Sequence, residues 1–205
     1  GVLMTLTFPT SGKGQAFVTP LSSISGAASL TTSEMQTIEG KLTFAASGMK
    51  GITSLTIKDN DGTKHKFKSA DVNALRVKID GLAKLEMIAE KTKNLDRLFS
   101  ADFSEIVDRK YAYYEQVKVP EKDKYVLTQL LNPGFAKKIK VFDKPGAKTA
   151  DKSVNGVAIS GSKAKAYYVI KEGITYEISK SKYRKSQFKM LYGNCPDMIR
   201  FYADP

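Results

Sequence analysis

One histidine and one cysteine restrict the nucleophilic and metal chemistry open to this chain. A His-based metal cluster or a Ser-His-Asp triad would rest entirely on His65. His65 lies in the run Lys64-His65-Lys66-Phe67-Lys68, shares a strand face with Phe67, and is surrounded by cations that oppose a bound metal. A structural or surface role is expected of it. Cys195 has no partner for an internal disulfide. A helix N-terminus and the nearby Arg200 would favour its thiolate, but a packed position at a helix junction is the expectation.

Asp59-Asn60-Asp61-Gly62 offers oxygen ligands at the alternate spacing of a calcium loop. Counting from Gly62, however, Ile57 falls at the first ligand position and Lys68 at the closing acid, so the segment reads as a turn. Ser11-Gly12-Lys13-Gly14 holds the Gly-Lys pair of a phosphate loop. Thr7 stands where its first Gly belongs, and Gly14 where a Ser or Thr would hold magnesium. Asp96 with Asp102, or Asp102 with Glu105, supplies the two carboxylates that glycoside hydrolysis needs. With 21 acids in the chain such spacings arise by chance, and ordinary surface charge is expected. No catalytic, cofactor or metal site is predicted.

The charge distribution is more informative. The formal net charge is +12, and between Lys137 and Lys189 fourteen Lys and Arg face four acids (Asp143, Asp151, Glu172, Glu177), a local excess of +10. Such a one-sided basic surface selects anionic partners. Lys180, Lys182, Arg184, Lys185 and Lys189, interleaved with Tyr183 and Phe188, form the candidate anion-binding cluster, with the means to neutralise a polymer backbone and stack on bases. The solvated back of an amphipathic helix, and edge-strand protection by lysines such as Lys138 and Lys140, account for the same residues without a ligand. Only five arginines are available for bidentate base readout, so nucleic acid is the less favoured partner.

These side chains need elements to position them. At 41% hydrophobic and 10% aromatic, the composition is that of a folded globular chain. No apolar run approaches the ~18 residues that span a bilayer. The chain begins at Gly1, as expected of a processed exported product or a tag remnant. Met4, Leu6 and Phe8 alternate with threonines and predict a strand ending at Pro9; ten of the twelve residues from Ser22 to Ser33 are Ser, Thr, Gly or Ala and predict a loop or flexible arm. An Asp-Gly turn between Leu55/Ile57 and Phe67 predicts a hairpin, and Leu75, Val77 and Ile79 a third strand continuing it as a meander. Leu85, Met87 and Ala89 suggest a strand, followed by a short helix capped by Asn94. Tyr111 to Val119 reads as a strand, Tyr125 to Leu131 as a short helix stopped by Asn132-Pro133-Gly134, and Lys138 to Phe142 as a strand. Ala166 to Ile170 and Ile174 to Ile178 form a hairpin across the three-residue connection Lys171-Glu172-Gly173. Ser181 caps a helix carrying Tyr183, Phe188, Leu191 and Tyr192 and closed by Gly193; Asn194 caps a last one carrying Met198, Ile199, Phe201 and Tyr202.

Leu130-Leu131-Asn132-Pro133-Gly134 before Lys138-Ile139-Lys140-Val141-Phe142, then Tyr167-Tyr168-Val169, and the ending Phe188-Lys189-Met190-Leu191-Tyr192-Gly193-Asn194-Cys195-Pro196-Asp197 give a pattern over residue 40 onward. It resembles an uncharacterised group of exported proteins of Gram-negative bacteria that end in a short helix, an acidic or amide residue, Cys and Pro. The resemblance implies export to the periplasm or outer envelope. It assigns no activity and no site residues.

The expected fold is α+β and predominantly antiparallel β, with hairpins, short connecting helices and a C-terminal helix packed on the sheet. Residues 1–40 are read as a strand plus a Ser/Thr/Gly/Ala-rich arm, and 41–205 as one domain. The favoured function is a non-enzymatic, exported binding or structural module whose basic face meets an anionic envelope component, either a polymer or a lipid surface. A nucleic-acid-binding protein and a carboxylate- or Cys-dependent enzyme are the alternatives.

Overall fold

The computed structural model describes residues 17–21, 23–92, 103–120, 122–147, 152–154, 157–159, 166–196 and 199–200; at 90–92, 152–154, 157–159, 180 and 185 it describes the backbone. The expected strand at Met4 to Phe8, the Ser11 to Gly14 segment, the Asn94 helix with Asp96, Asp102, and most of the last helix lie outside these residues.

Strands β1 (Gly26–Thr32), β2 (Thr37–Gly48) and β3 (Gly51–Asp59) form an antiparallel meander. β3 turns through Asn60 to Thr63 into β4 (Lys64–Lys68), the hairpin that the Asp-Gly signal predicts. A 3-10 turn at Ser69–Asp71 leads to β5 (Val72–Lys78). β5 pairs with β1 and with β6 (Tyr111–Lys118) rather than with β4, so the meander predicted from adjacency is broken here. β7 (Tyr125–Gln129) continues beside β6, and Leu127 pairs with Ile52 of β3. The circuit β1-β2-β3-β7-β6-β5 thereby closes into an antiparallel barrel, with β4 as an extension beside β3. Gly51 permits the closure. Its φ is +138°, and a Cβ there would lie 2.8 Å from the Leu127 carbonyl oxygen.

Leu30, Leu42, Leu55, Ile57, Leu75 and Val77 fill one core cluster, joined by Met87 of helix α1 (Gly81–Thr92) and Ile106 of helix α2 (Ser104–Asp108). Alternation along the strands points these side chains inward and their neighbours out.

Three expectations fail for identifiable reasons. The arm expected at Ser22 to Ser33 contains β1, a central barrel strand with Leu30 fully buried; its small residues are those a strand paired on both sides can accommodate. The strand expected at Leu85 to Ala89 is helix α1. Asp80 caps it through Oδ1, which accepts the Ala83 N–H at 2.8 Å, and good helix formers follow. Leu85, which suggested alternation, is exposed, while Met87 is buried. The helix expected at Tyr125 to Leu131 is β7. Leu127 faces the barrel core and Val126 a second core cluster, so burial on both faces erases the period-two signal.

That second cluster joins the barrel to a three-stranded sheet of β8 (Ile139–Asp143), β11 (Ala166–Lys171) and β12 (Ile174–Ser179), ordered β12-β11-β8. A separate pair, β9 (Lys152–Val154) and β10 (Val157–Ile159), lies between β8 and β11 in sequence. Phe142 and Tyr168 pack against Val117, Val119, Val126 and Leu130. Asn132 clasps β8 rather than ending a helix: its Nδ2 donates to the Ile139 carbonyl and its Oδ1 accepts the Val141 N–H, both at 2.8 Å. The β11–β12 connection is two residues long, because Lys171 already pairs with Ile174; Glu172 and Gly173 both take positive φ, as a primed turn requires.

The C-terminal helical segment comprises α3 (Lys180–Lys182), a π turn at Tyr183–Gln187, and α4 (Phe188–Tyr192). Ser179, not Ser181, holds the N-cap position, and its N–H is taken by the Gln187 side chain at 3.0 Å. Leu191 packs with Val169 and Ile178 on the sheet.

Candidate anion-binding surfaces

The C-terminal cluster divides by face. Lys182, Arg184 and Lys189 are exposed and have no ion-pair partner among the described residues, while Phe188 and Leu191 are buried. Of Lys180 and Lys185, the backbone places them in α3 and the π turn. Of the aromatics interleaved with these cations, Phe188 is buried and Tyr183 half-buried. Phe188 meets Tyr183 edge-on at 5.8 Å and Tyr192 at 5.1 Å, and Tyr183 and Tyr192 pack against the cluster of Val169, Ile178 and Leu191, so the rings that suggested base stacking are spent on packing.

A second basic surface was not legible in sequence order. Pairing across β2, β3 and β4 sets Lys41 opposite Lys58 and Lys58 opposite Lys64, one row on the outside of the barrel. The next row is Phe44, Thr56 and Lys66, and the next Ala46, Ser54 and Lys68. All five lysines are exposed, and none has an ion-pair partner among the described residues. Phe44 is 58% exposed in their midst. Phe44, Ser54, Thr56, Lys66 and Lys68 border an open groove of about 560 Å³. The signal that could have found this face is the register of the hairpin: given one cross-strand pair, the alternation assigns all the others.

A third group sits where the barrel meets the three-stranded sheet. Lys144 pairs with Glu177, and its Nζ lies 5.7 Å from the centre of the Tyr168 ring. Lys122 beside Lys50, then burial and the charges of Lys122 and Lys144, pull Lys50 below the ordinary lysine value, with Glu177 opposing. Tyr168 is fully buried, its Oη lacks a hydrogen-bond partner among the described residues, and burial with the neighbouring Glu177 pushes its hydroxyl up to about 12.

His65, Asp59 and Glu105 are engaged in local contacts. His65 Nε2 meets Asp59 Oδ2 at 2.7 Å, and Asp59 Oδ1 accepts the Thr63 N–H at 2.8 Å, so the Asp59-to-Gly62 segment is a turn stapled by its own side chains. The His65 contact is the first cause holding Asp59 below its ordinary value. Glu105 accepts from the Thr19 N–H and hydroxyl and pairs with Arg109. Cys195 is half-buried, with its N–H bonded to the Tyr192 carbonyl at 2.8 Å. Among the described residues no group of three His, Cys, Asp or Glu is placed to hold a metal, and no helix is long and apolar enough to cross a membrane.

Comparison with protein-family models, curated proteins and solved structures finds no match to this chain.

Proposed function

We propose that this protein is a non-enzymatic binding module of the bacterial envelope that holds an anionic polymer or lipid surface on its basic faces. The observation that carries this reading is the row Lys41, Lys58, Lys64. Like charges directly opposite one another destabilise a sheet. Lysines on an edge strand repay that cost by blocking aggregation, which accounts for Lys64, Lys66 and Lys68 on β4. It does not account for Lys41 and Lys58, which stand on strands paired on both sides. A polyanion lying across the row would offset the repulsion. Lys182, Arg184 and Lys189 add a second cationic patch, without ion-pair partners among the described residues, on a segment in which Phe188 and Leu191 are buried. The resemblance of residue 40 onward to exported proteins supports the compartment.

Single-stranded nucleic acid is the second reading, favoured by Phe44: an exposed ring among lysines and hydroxyls is a stacking platform. The two readings part on one experiment. Binding of an acidic polysaccharide, anionic vesicles and mixed-sequence single-stranded RNA is titrated at low and physiological salt, with Lys58→Glu, Phe44→Ala and a Lys182→Glu/Arg184→Glu variant. The envelope reading expects polysaccharide or vesicle binding that weakens on charge reversal and is indifferent to Phe44→Ala. RNA binding that falls by about 1–3 kcal/mol in Phe44→Ala replaces it with the second reading. No binding to any of the three at physiological salt overturns both.

A further inference from the structure

We propose that the free edge of β4 takes up an extended peptide segment in which acidic and apolar residues alternate, bound as a further strand of the sheet. This site is the backbone edge of the hairpin and does not rest on the polymer reading above. β4 pairs with β3 on one side and, among the described residues, with no strand on the other. The register says which of its backbone groups face outward. Asp59 N–H donates to the Thr63 carbonyl at 3.0 Å, which makes this a bonded position of the ladder; stepping on by two, Ile57 with His65 and Leu55 with Phe67 are the bonded pairs. Lys64, Lys66 and Lys68 hold the intervening positions and turn their N–H and C=O groups away from β3. The Lys68 N–H is taken by Asp71 Oδ2 at 3.3 Å, as an outward donor can be. The outward N–H and C=O groups of Lys64 and Lys66 have no backbone partner among the described residues.

Open edges are templates for pairing, and proteins blunt them with a bulge, a proline, a covering segment or charge. β4 has neither a bulge in its pairing with β3 nor a proline. Its guard is the side chains of Lys64, Lys66 and Lys68, all exposed. That guard is selective by sign. A second copy of β4 laid along the edge would set lysine against lysine, which opposes pairing, whereas carboxylates at the same positions attract. The opposite face completes the pattern. His65 and Phe67 alternate with the lysines, are half-buried and stack at 6.4 Å, with Phe67 packed against the barrel core, so every second residue of an added strand meets an aromatic surface. On the lysine face, the open groove of about 560 Å³ bordered by Lys66 and Lys68 leaves room for the acidic side chains. Main-chain bonds to Lys64 and Lys66 supply the affinity, and the alternation of acid and apolar residues supplies the selectivity.

The test is an NMR titration of the isotope-labelled full chain, at physiological salt, with the acetylated and amidated peptide Glu-Val-Glu-Val-Glu-Val-Glu. The expected result is a saturable response with a Kd of about 1 mM or tighter and, at saturation, amide exchange at Lys64 and Lys66 slowed by about tenfold or more. Two further peptides separate strand addition from plain attraction of an acidic chain to a basic surface. Glu-Glu-Glu-Glu-Val-Val-Val keeps the charge without the alternation, and the alternating peptide with every amide N-methylated keeps the side chains without the donors. Each is expected to bind about tenfold more weakly and to leave exchange at Lys64 and Lys66 unchanged. Lys66→Pro removes an outward donor and no bond to β3, and should weaken the alternating peptide by a similar factor. Circular dichroism checks its fold, and the peptide comparison stands without it. Equal binding of the block or N-methylated peptide overturns the proposal, as does saturation without slowed exchange at Lys64 and Lys66, or the absence of any saturable response.

Discussion

Glu105 and Arg109, one helical turn apart, form an ion pair at 3.1 Å in which the Arg109 side chain is only 8% exposed. The same carboxylate accepts the Thr19 N–H at 3.2 Å and the Thr19 hydroxyl at 3.0 Å, so the pair also anchors the chain preceding β1. Gln129 continues the anchorage, its Oε1 accepting the Leu21 N–H at 2.8 Å. Burial pulls Arg109 below its ordinary value and Glu105 opposes that shift; the Arg109 Nε has no hydrogen-bond partner among the described residues.

Glu105→Gln therefore leaves a buried guanidinium without a counter-charge. It is expected to cost about 3–5 kcal/mol in urea unfolding, and the Glu105→Gln/Arg109→Met double variant to recover most of the loss. Equal destabilisation in both would show that the carboxylate serves Thr19 rather than Arg109.

Tyr168→Phe removes a buried hydroxyl that has no partner among the described residues, and should stabilise the protein by about 1 kcal/mol at neutral pH. The pH dependence has a definite sign. The folded Tyr168 value of about 12 lies above the unfolded tyrosine value of 10.0, so its contribution to stability is complete below pH 10 and is lost as the pH rises from 10 towards 12. Tyr114, also raised by burial, acts in the same direction. Thermal unfolding of Tyr168→Phe between pH 8 and 12 is expected to show a shallower alkaline decline than the parent chain. An unchanged slope would assign the alkaline loss to Tyr114 or other groups.

Lys50 is the amine expected to react first with an acylating reagent at mildly alkaline pH. Its contact with Lys122 is the leading cause of its lowered value, followed by burial and the charges of Lys122 and Lys144, with Glu177 opposing. A larger neutral fraction means a faster nucleophile. Peptide mapping after brief acetylation should find Lys50 modified ahead of Lys58 and Lys66, and Lys122→Ala should abolish the preference. Uniform labelling in the parent chain would contradict the contact.

Removing the middle lysine of the outer row should separate stability from binding. Lys58→Thr relieves the Lys41–Lys58 and Lys58–Lys64 repulsions and is expected to stabilise the barrel by about 0.2–1 kcal/mol at low ionic strength, with the gain shrinking as salt screens the charges. The same variant should bind a polyanion more weakly and with a salt slope smaller by about 1. Chemical denaturation at two salt concentrations measures the first effect, and polysaccharide titration the second.

Gly51→Ala tests the closure of the barrel. A φ of +138° is strained for any residue with a Cβ, and that Cβ would meet the Leu127 carbonyl oxygen at 2.8 Å. The expected cost is about 1–3 kcal/mol, read as a lower Tm and as faster amide exchange at Ile52 and Leu127. Loss of protection elsewhere in the barrel but not at this pair would place the closure at another seam.

Local rules determined much of the chain. Asp-Gly between alternating segments made the β3–β4 hairpin legible, and Glu172-Gly173 the β11–β12 hairpin, because turn geometry is set by the few residues that accept positive φ. The strand character of Leu75 to Val77 and of Lys138 to Phe142, and the apolar side of the C-terminal helical segment, followed from periodicity. What the sequence left undecided were the elements whose neighbours are distant. β7 is buried by the barrel on one side and by Phe142 and Tyr168 on the other, so it carries no alternation. β1 has almost no apolar run, yet pairing with β2 and β5 makes it a strand. The basic surfaces divide in the same way. The exposed side of the Lys182-to-Lys189 helix was visible as a charge excess, since helical residues of one face are close in sequence. The Lys41–Lys58–Lys64 row exists only because strand register brings together cations that the chain holds apart, and no local propensity encodes those distances.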